Sequence, residues 1–274
     1  MSGSGAIQYK GKQVTTNWGV TQSAVGFPYL IEDFISNWGT LATGAVTINQ
    51  AGTELTAAAI TAGAGGASLQ HTHGGWLLGK TDDVDAEIDE VALGAVPWLV
   101  PTAVGTGLIW GEIGFVVPTA LTARQYFFGL TDDETEGTGT NGSLNIDGTT
   151  NVVAVAADAA GFIMSSLATD ADGWYQGNVI ATTAVADATN TGLTAVVDRY
   201  TKLRVEIDRS GNAYFHGVVG GSTTIGRSAQ MSPVSSKASA VTASVALIPL
   251  FAAAPTTTTG VEWEIDYIAG GATL

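Results

Sequence analysis

Apolar positions along this chain recur with a period of two in short runs cut by turn residues. Leu203, Val205 and Ile207 alternate with Lys202, Arg204, Glu206 and Asp208. This spacing puts apolar side chains on one face of a strand and charged ones on the other. Asp208-Arg-Ser-Gly211-Asn212 then supplies a turn, and Ala213-Tyr-Phe-His216-Gly-Val-Val219 returns. Together these pieces predict an antiparallel hairpin. Near the C-terminus, alternation predicts that Val261, Trp263, Ile265 and Tyr267 share one face of a strand, with Glu262, Glu264 and Asp266 on the other.

Further runs precede these: Val46-Thr-Ile48, Trp76-Leu-Leu78, a segment from Leu108 to Val117, Tyr126-Phe-Phe128-Gly-Leu130, Gly161-Phe-Ile-Met164 and Gly173-Trp-Tyr175. Many short β-favouring runs between turn clusters predict an all-β sandwich or barrel. Two Ala-rich stretches fit less well. Residues 57–66 are open to a short helix, weakened by Gly63, Gly65 and Gly66. Residues 152–160 read as a buried strand. Residues 1–28 sustain neither period and scatter Tyr9, Trp18 and Phe27 among Gly, Ser, Thr and Gln. They are read as an extended N-terminal arm ahead of one sandwich domain over 29–274. Those three aromatics are the candidate partner-binding residues.

Composition narrows the function classes. Of 274 residues only 13% are charged, yet the net charge is −15. A phosphate backbone needs Lys and Arg to displace counterions, so no nucleic-acid partner is expected, nor an anionic membrane surface. No apolar run reaches the length of a spanning helix, and the first residues lack a signal-peptide pattern. With no cysteine, disulfides and thiolate metal sites are excluded. A chain of this size buries a large core without such staples.

Several motifs invite chemistry. Glu264-Ile265-Asp266 resembles the strand on which laminarinase-type glycoside hydrolases carry Glu, an apolar residue, Asp and then a second Glu two or three residues on. Here Tyr267, Ile268 and Ala269 follow, so the second Glu is missing. The tripeptide also recurs as Glu87-Ile88-Asp89 and Glu206-Ile207-Asp208, as expected of a solvated strand face. Glu90 follows the first of these but points to the opposite face. No catalytic residue is therefore assigned. His71 and His73 share a face if extended, but no third ligand stands nearby, so they read as turn-edge residues. The acid-rich stretches at Asp82-Asp-Val-Asp85, Asp132-Asp-Glu-Thr-Glu136 and Asp170-Ala-Asp172-Gly173 suit calcium in type, but the last lacks the downstream bidentate Glu. No metal site and no cofactor is assigned. No nucleophile elbow, phosphate loop or dinucleotide fingerprint occurs. Trp174 and Tyr175 stand at an expected loop edge and are the candidate sugar-stacking residues, against the alternative that such rings fill the core.

The pieces Thr201–Asp208, Gly211-Asn-Ala-Tyr-Phe215, Leu247-Ile-Pro-Leu-Phe251 and Val261-Glu-Trp-Glu-Ile-Asp-Tyr-Ile268 resemble a concanavalin-like (laminin-G-like) jelly-roll sandwich. Glu32-Asp-Phe34, His73-Gly-Gly-Trp-Leu-Leu78, Leu108-Ile-Trp-Gly-Glu-Ile113 and Tyr126-Phe-Phe-Gly-Leu-Thr-Asp132 resemble a pattern of bacteriophage structural proteins. The likeness spans roughly residues 30 to 270. It implies a non-enzymatic virion protein, assembled in the host cytoplasm. Such a protein would decorate or cement a capsid, contacting a shell protein and copies of itself through the arm and one sandwich face. The alternatives are a glycan-binding lectin-like domain of a tail fibre and, third, a laminarinase-like hydrolase. Fold alone does not choose among these.

Overall fold

A computed structural model describes residues 107–132, 156–184, 187–220, 230–257 and 259–273, with shorter strands and single positions elsewhere. Among the described residues there is no helix. The strands form two antiparallel sheets packed face to face. Sheet I runs through Thr189–Thr194, Gly173–Ile180, Ala159–Ser165, Arg124–Thr131, Ala246–Pro255, Asp89–Leu93, Thr53–Ala58 and Val46–Gln50. Sheet II runs through Ser232–Lys237, Ala213–Val219, Tyr200–Asp208, Leu108–Val116, Glu262–Thr273, Pro28–Glu32 and Thr21–Gln22, with Trp76–Lys80 also pairing to Glu262–Thr273.

The expected hairpin is present. Tyr200–Asp208 pairs with Ala213–Val219 in unbroken register, and Leu203, Val205 and Ile207 are fully buried between the sheets. Gly211 closes the turn at φ +77°, a left-handed conformation that Gly adopts without steric cost. The Asp208 carboxylate accepts bonds from the Ser210 and Asn212 amides and so fixes the turn.

The last strand departs from simple alternation. Phe115 pairs with Ile265 and Gly114 with Tyr267, which leaves Asp266 as an extra residue in a β-bulge. Trp263 and Ile265 point into the core as expected. Beyond the bulge the phase shifts: Ile268 points inward and Tyr267 packs with Trp110 and Tyr200 on the opposite face. The expectation that Tyr267 shares a face with Trp263 and Ile265 is thus corrected.

Between the sheets a continuous line of rings links Tyr126, Phe251, Phe115, Trp174, Phe162 and Phe215, with neighbouring centroids 5.3 to 6.5 Å apart. Sheet I is also covered on its other side. Phe127, Ile163, Tyr175, Val179, Ile248 and Leu250 form a second core with Ile146 and several alanines. Arg124–Thr131 and Ala159–Ser165 are consequently buried at every position. Burial on both faces explains why these strands read as continuous apolar runs rather than alternating ones. The stretch read as one buried strand over 152–160 divides into Val152–Ala154, paired with Leu144–Ile146, and the start of Ala159–Ser165. The stretch 57–66 is not helical where described: Thr53–Ala58 and the strand beginning at Gly66 take its ends. In the first 28 residues, Ala6–Tyr9 pairs with Lys12–Thr15 apart from both sheets. The side chains of Tyr9, Trp18 and Phe27 lie outside the described residues.

Candidate functional site: the outer face of sheet II

Three central strands of sheet II turn their charged and aromatic residues away from the core, because alternation has committed their apolar residues inward. Register brings Glu112 opposite Arg204 on one side and opposite Ala269 on the other. Glu112 is the centre of the resulting network. Its carboxylate accepts a 2.5 Å hydrogen bond from the Tyr267 hydroxyl, and pairs with Lys202 at 3.5 Å and Arg204 at 3.2 Å. Arg204 also donates to Glu206 at 2.6 Å, and its guanidinium lies 4.4 Å from the centroid of the Trp110 ring. Glu206 reaches His216 at 3.7 Å. The Tyr200 hydroxyl donates to Asp266 at 2.6 Å. Gly114 is what lets the two tyrosines close over the strand: a Cβ there would collide with the Tyr200 hydroxyl and the Tyr267 ring.

The network is largely shut away from water. Trp110, Tyr200, Tyr267 and Ala269 are buried, and so is Lys202. Burial pushes the Glu112 carboxyl up, but the Tyr267 bond and the charges of Lys202 and Arg204 outweigh it and hold the group below the ordinary carboxyl range. Tyr267 moves the other way: burial, then the Glu112 charge, raises its hydroxyl well above the ordinary phenol value, so it stays a donor.

The bulge bears directly on the Glu264-Ile265-Asp266 motif. Beyond Asp266 the outer face takes Tyr267 and then, after the inward Ile268, Ala269. The place where a second carboxylate would stand therefore carries a methyl group. The carboxylate across the strand, Glu112, is ionised and neutralised by two cations, whereas a general acid needs a raised pKa.

The other sequence-derived candidates fall elsewhere. Trp174 is 0% exposed in the inter-sheet core, and Tyr175 is 3% exposed in the second core of sheet I. Neither ring is at a loop edge, so the expectation that they stack on a sugar is corrected: the apolar environment on each side of sheet I has taken both. Asp170 accepts from the Asn190 amide at 2.9 Å, and its own amide donates to the Tyr175 hydroxyl. The Asp132 carboxylate caps the amides of Ala157 and Asp158, and the Asp158 carboxylate accepts from Thr242. Among the described residues no three His, Asp or Glu side chains come together as metal ligands. Asp208 serves its turn. The side chains of His71, His73, Glu87, Asp89 and Glu90, and the stretches 82–85 and 133–136, lie outside the described residues. Trp110, Glu112, Tyr200 and Tyr267 were not singled out from the sequence. Their strands show the alternation, but nothing local says that residues 108–116 lie between 200–208 and 262–273.

No protein-family model matches this chain, and no curated protein matches it in sequence. Solved structures do match in fold. Peanut lectin superposes with a TM-score of 0.54 at 11% identity, over 89% of this chain and 97% of that one. A protein of unknown function from Shewanella oneidensis MR-1 gives 0.52 at 13% identity, over 92% and 89%. Lectin I from Ulex europaeus gives 0.51 at 10% identity, over 89% and 97%. The chain is an all-β, concanavalin-like sandwich.

Proposed function

We propose that the sandwich adheres rather than catalyses, and that it serves as a structural part of a virus particle, decorating or cementing its shell. The observation that carries the first half is Ala269. It occupies the outer-face position of the missing carboxylate, beside a Glu112 already spent on Lys202, Arg204 and Tyr267. The second half draws on the small-residue, Lys-poor composition, the aromatic residues of the first 28 positions and the likeness of the apolar runs to phage structural proteins. The central strands of sheet I are covered on their outer side. On sheet II, Glu112, Arg204, Glu206 and His216 keep part of their side chains in solvent. The most exposed positions lie on the edge strands Thr189–Thr194 and Ser232–Lys237. Binding would then use the arm and this open edge, where unpaired backbone groups invite strand addition. The test is removal of residues 1–27, which spares the Pro28–Glu32 strand. The shortened protein is expected to keep its β-sheet circular dichroism and cooperative unfolding but to lose co-sedimentation with particles. Undiminished decoration would refute the role of the arm.

A second reading is glycan binding without hydrolysis. It is favoured by the fold shared with two lectins.

A further inference from the structure

The edge strands of the two sheets differ in how well another strand could continue their ladders. Thr189–Thr194 pairs with Gly173–Ile180 only at its ends: Thr191 and Gly192 bulge out of register, Gly192 at φ +79°. Ser232–Lys237 carries Pro233, which has no amide hydrogen, next to Val234, the extra residue of another bulge. Such interrupted edges accept a short segment at most. Thr21–Gln22 and Thr183–Ala184 are two residues long.

Val46–Gln50 is built otherwise. It pairs with Thr53–Ala58 in unbroken register, and among the described residues no strand pairs with its other side. Its residues, Val-Thr-Ile-Asn-Gln, include no proline, no glycine and no charge, and Val, Thr and Ile favour the extended chain. Sheet proteins avoid leaving such an edge open, by charge, proline, bulge or cover. This chain uses bulges and a proline at Thr189–Thr194 and Ser232–Lys237, and neither here. Gly66–Gln70, the other sandwich edge of this length, begins at a glycine, which holds register poorly.

Register tells which backbone groups face outward. Gln50 and Thr53 close a two-residue turn, Ala51-Gly52, so these two residues exchange both of their backbone bonds. Bonded and non-bonded pairs alternate from there. Val46, Ile48 and Gln50 are therefore spent on Thr53–Ala58, and the amide and carbonyl of Thr47 and Asn49 point to the open edge.

We infer that Val46–Gln50 binds a second copy of itself: two chains pair these strands antiparallel about a two-fold axis at Ile48, joining their sheets into one. In this register Thr47 of each copy lies opposite Asn49 of the other. Both residues carry outward groups, so each such pair exchanges two backbone hydrogen bonds. Ile48 meets its copy at a non-bonded position, as the alternation demands. An axis at Thr47 or Asn49 would keep the alternation but shorten the overlap. A chain with a net charge of −15 repels its copies in general, and this contact falls on a strand without an acid. The inference is independent of what the protein adheres to.

The paired strand runs roughly 17 Å, which makes a small, weak interface. Sedimentation of the intact chain is therefore expected to show a monomer–dimer equilibrium at micromolar concentrations, the weak end for protein interfaces. Amide exchange followed by NMR at low and high concentration should show Thr47 and Asn49 protected only in the dimer, and Ile48 and Gln50 protected in both states. Thr47→Pro removes one outward N–H per copy and leaves the bonds to Thr53–Ala58 in place. It should weaken dimerisation about thirtyfold, the worth of two lost hydrogen bonds. Removal of residues 1–27 should leave the dimer intact. A chain that is monomeric throughout overturns the inference, as does a dimer that Thr47→Pro does not weaken, or one whose Thr47 and Asn49 amides exchange as in the monomer. A dimer lost with residues 1–27 overturns it as well, since the arm would then be the occupant. If Thr47→Pro does not fold, the concentration dependence of the wild-type amides decides alone.

Discussion

At Glu112 burial and charge pull in opposite directions, and charge wins. Its folded pKa lies below the ordinary 4.5, through the Tyr267 hydroxyl and the Lys202 and Arg204 charges acting against burial. A depressed carboxyl pKa contributes stability that is complete above the unfolded value and is lost as pH falls through the folded one. Wild type should therefore lose stability below about pH 4.5 by a slope that Glu112→Gln lacks. Near neutrality Glu112→Gln should cost roughly 3 kcal/mol, because it removes the buried charge on which Lys202, Arg204 and Tyr267 converge. Urea unfolding at pH 7 and in a series down to pH 3 reads both; parallel pH profiles would show that the carboxylate is not under this tension. Alternation places Glu112 on the face away from Ile109 and Ile113, which are buried. It did not tell that Lys202, Arg204 and Tyr267 meet there, since those come from strands more than eighty residues downstream. Trp174 shows the converse limit. A ring after Asp-Gly suits a loop edge and a core equally well, and only the Phe115 and Phe162 rings packed edge-on against it decide the matter.

Elements were legible where local chemistry and tertiary demand agree. The 200–219 hairpin has alternation, a glycine at its turn and an Asp whose carboxylate ties the turn together, and its strands fall where expected. The turn has a second constraint that the sequence does not reveal: a Cβ on Gly211 would collide with the Val241 carbonyl. Gly211→Ala should cost about 1–3 kcal/mol. Gly211→Asn, which tolerates positive φ in open turns, should do nearly as badly, because its Cβ meets the same carbonyl. Denaturation midpoints of the two variants check this; a mild effect for Asn alone would mean that φ and not contact dominates. The last strand was legible only as far as Ile265. A bulge has no signature in alternation until the partner strand is known, so Tyr267 was assigned to the wrong face.

For the whole molecule, composition gave the class and pattern gave the sandwich, but neither gave the order of strands. Arg124–Thr131 lies beside Ala246–Pro255, and Leu108–Val116 beside Glu262–Thr273. These pairings are set by the joint burial of two faces and not by neighbours in sequence. They also bury the central strands of sheet I at every position. The spare residue at Asp266 bears on how the chain accepts changes of length. Inside an ordinary strand, loss of one residue turns every later side chain to the wrong side. Removing Asp266 would instead join Ile265 directly to Tyr267 and restore a continuous ladder with Gly114 and Phe115, every later residue keeping its side. The Tyr200 bond to Asp266 would be lost. The ΔAsp266 chain should fold, whereas ΔIle265, one position earlier, should not. The strand thus carries, at one place in its length, a built-in allowance for insertion and deletion.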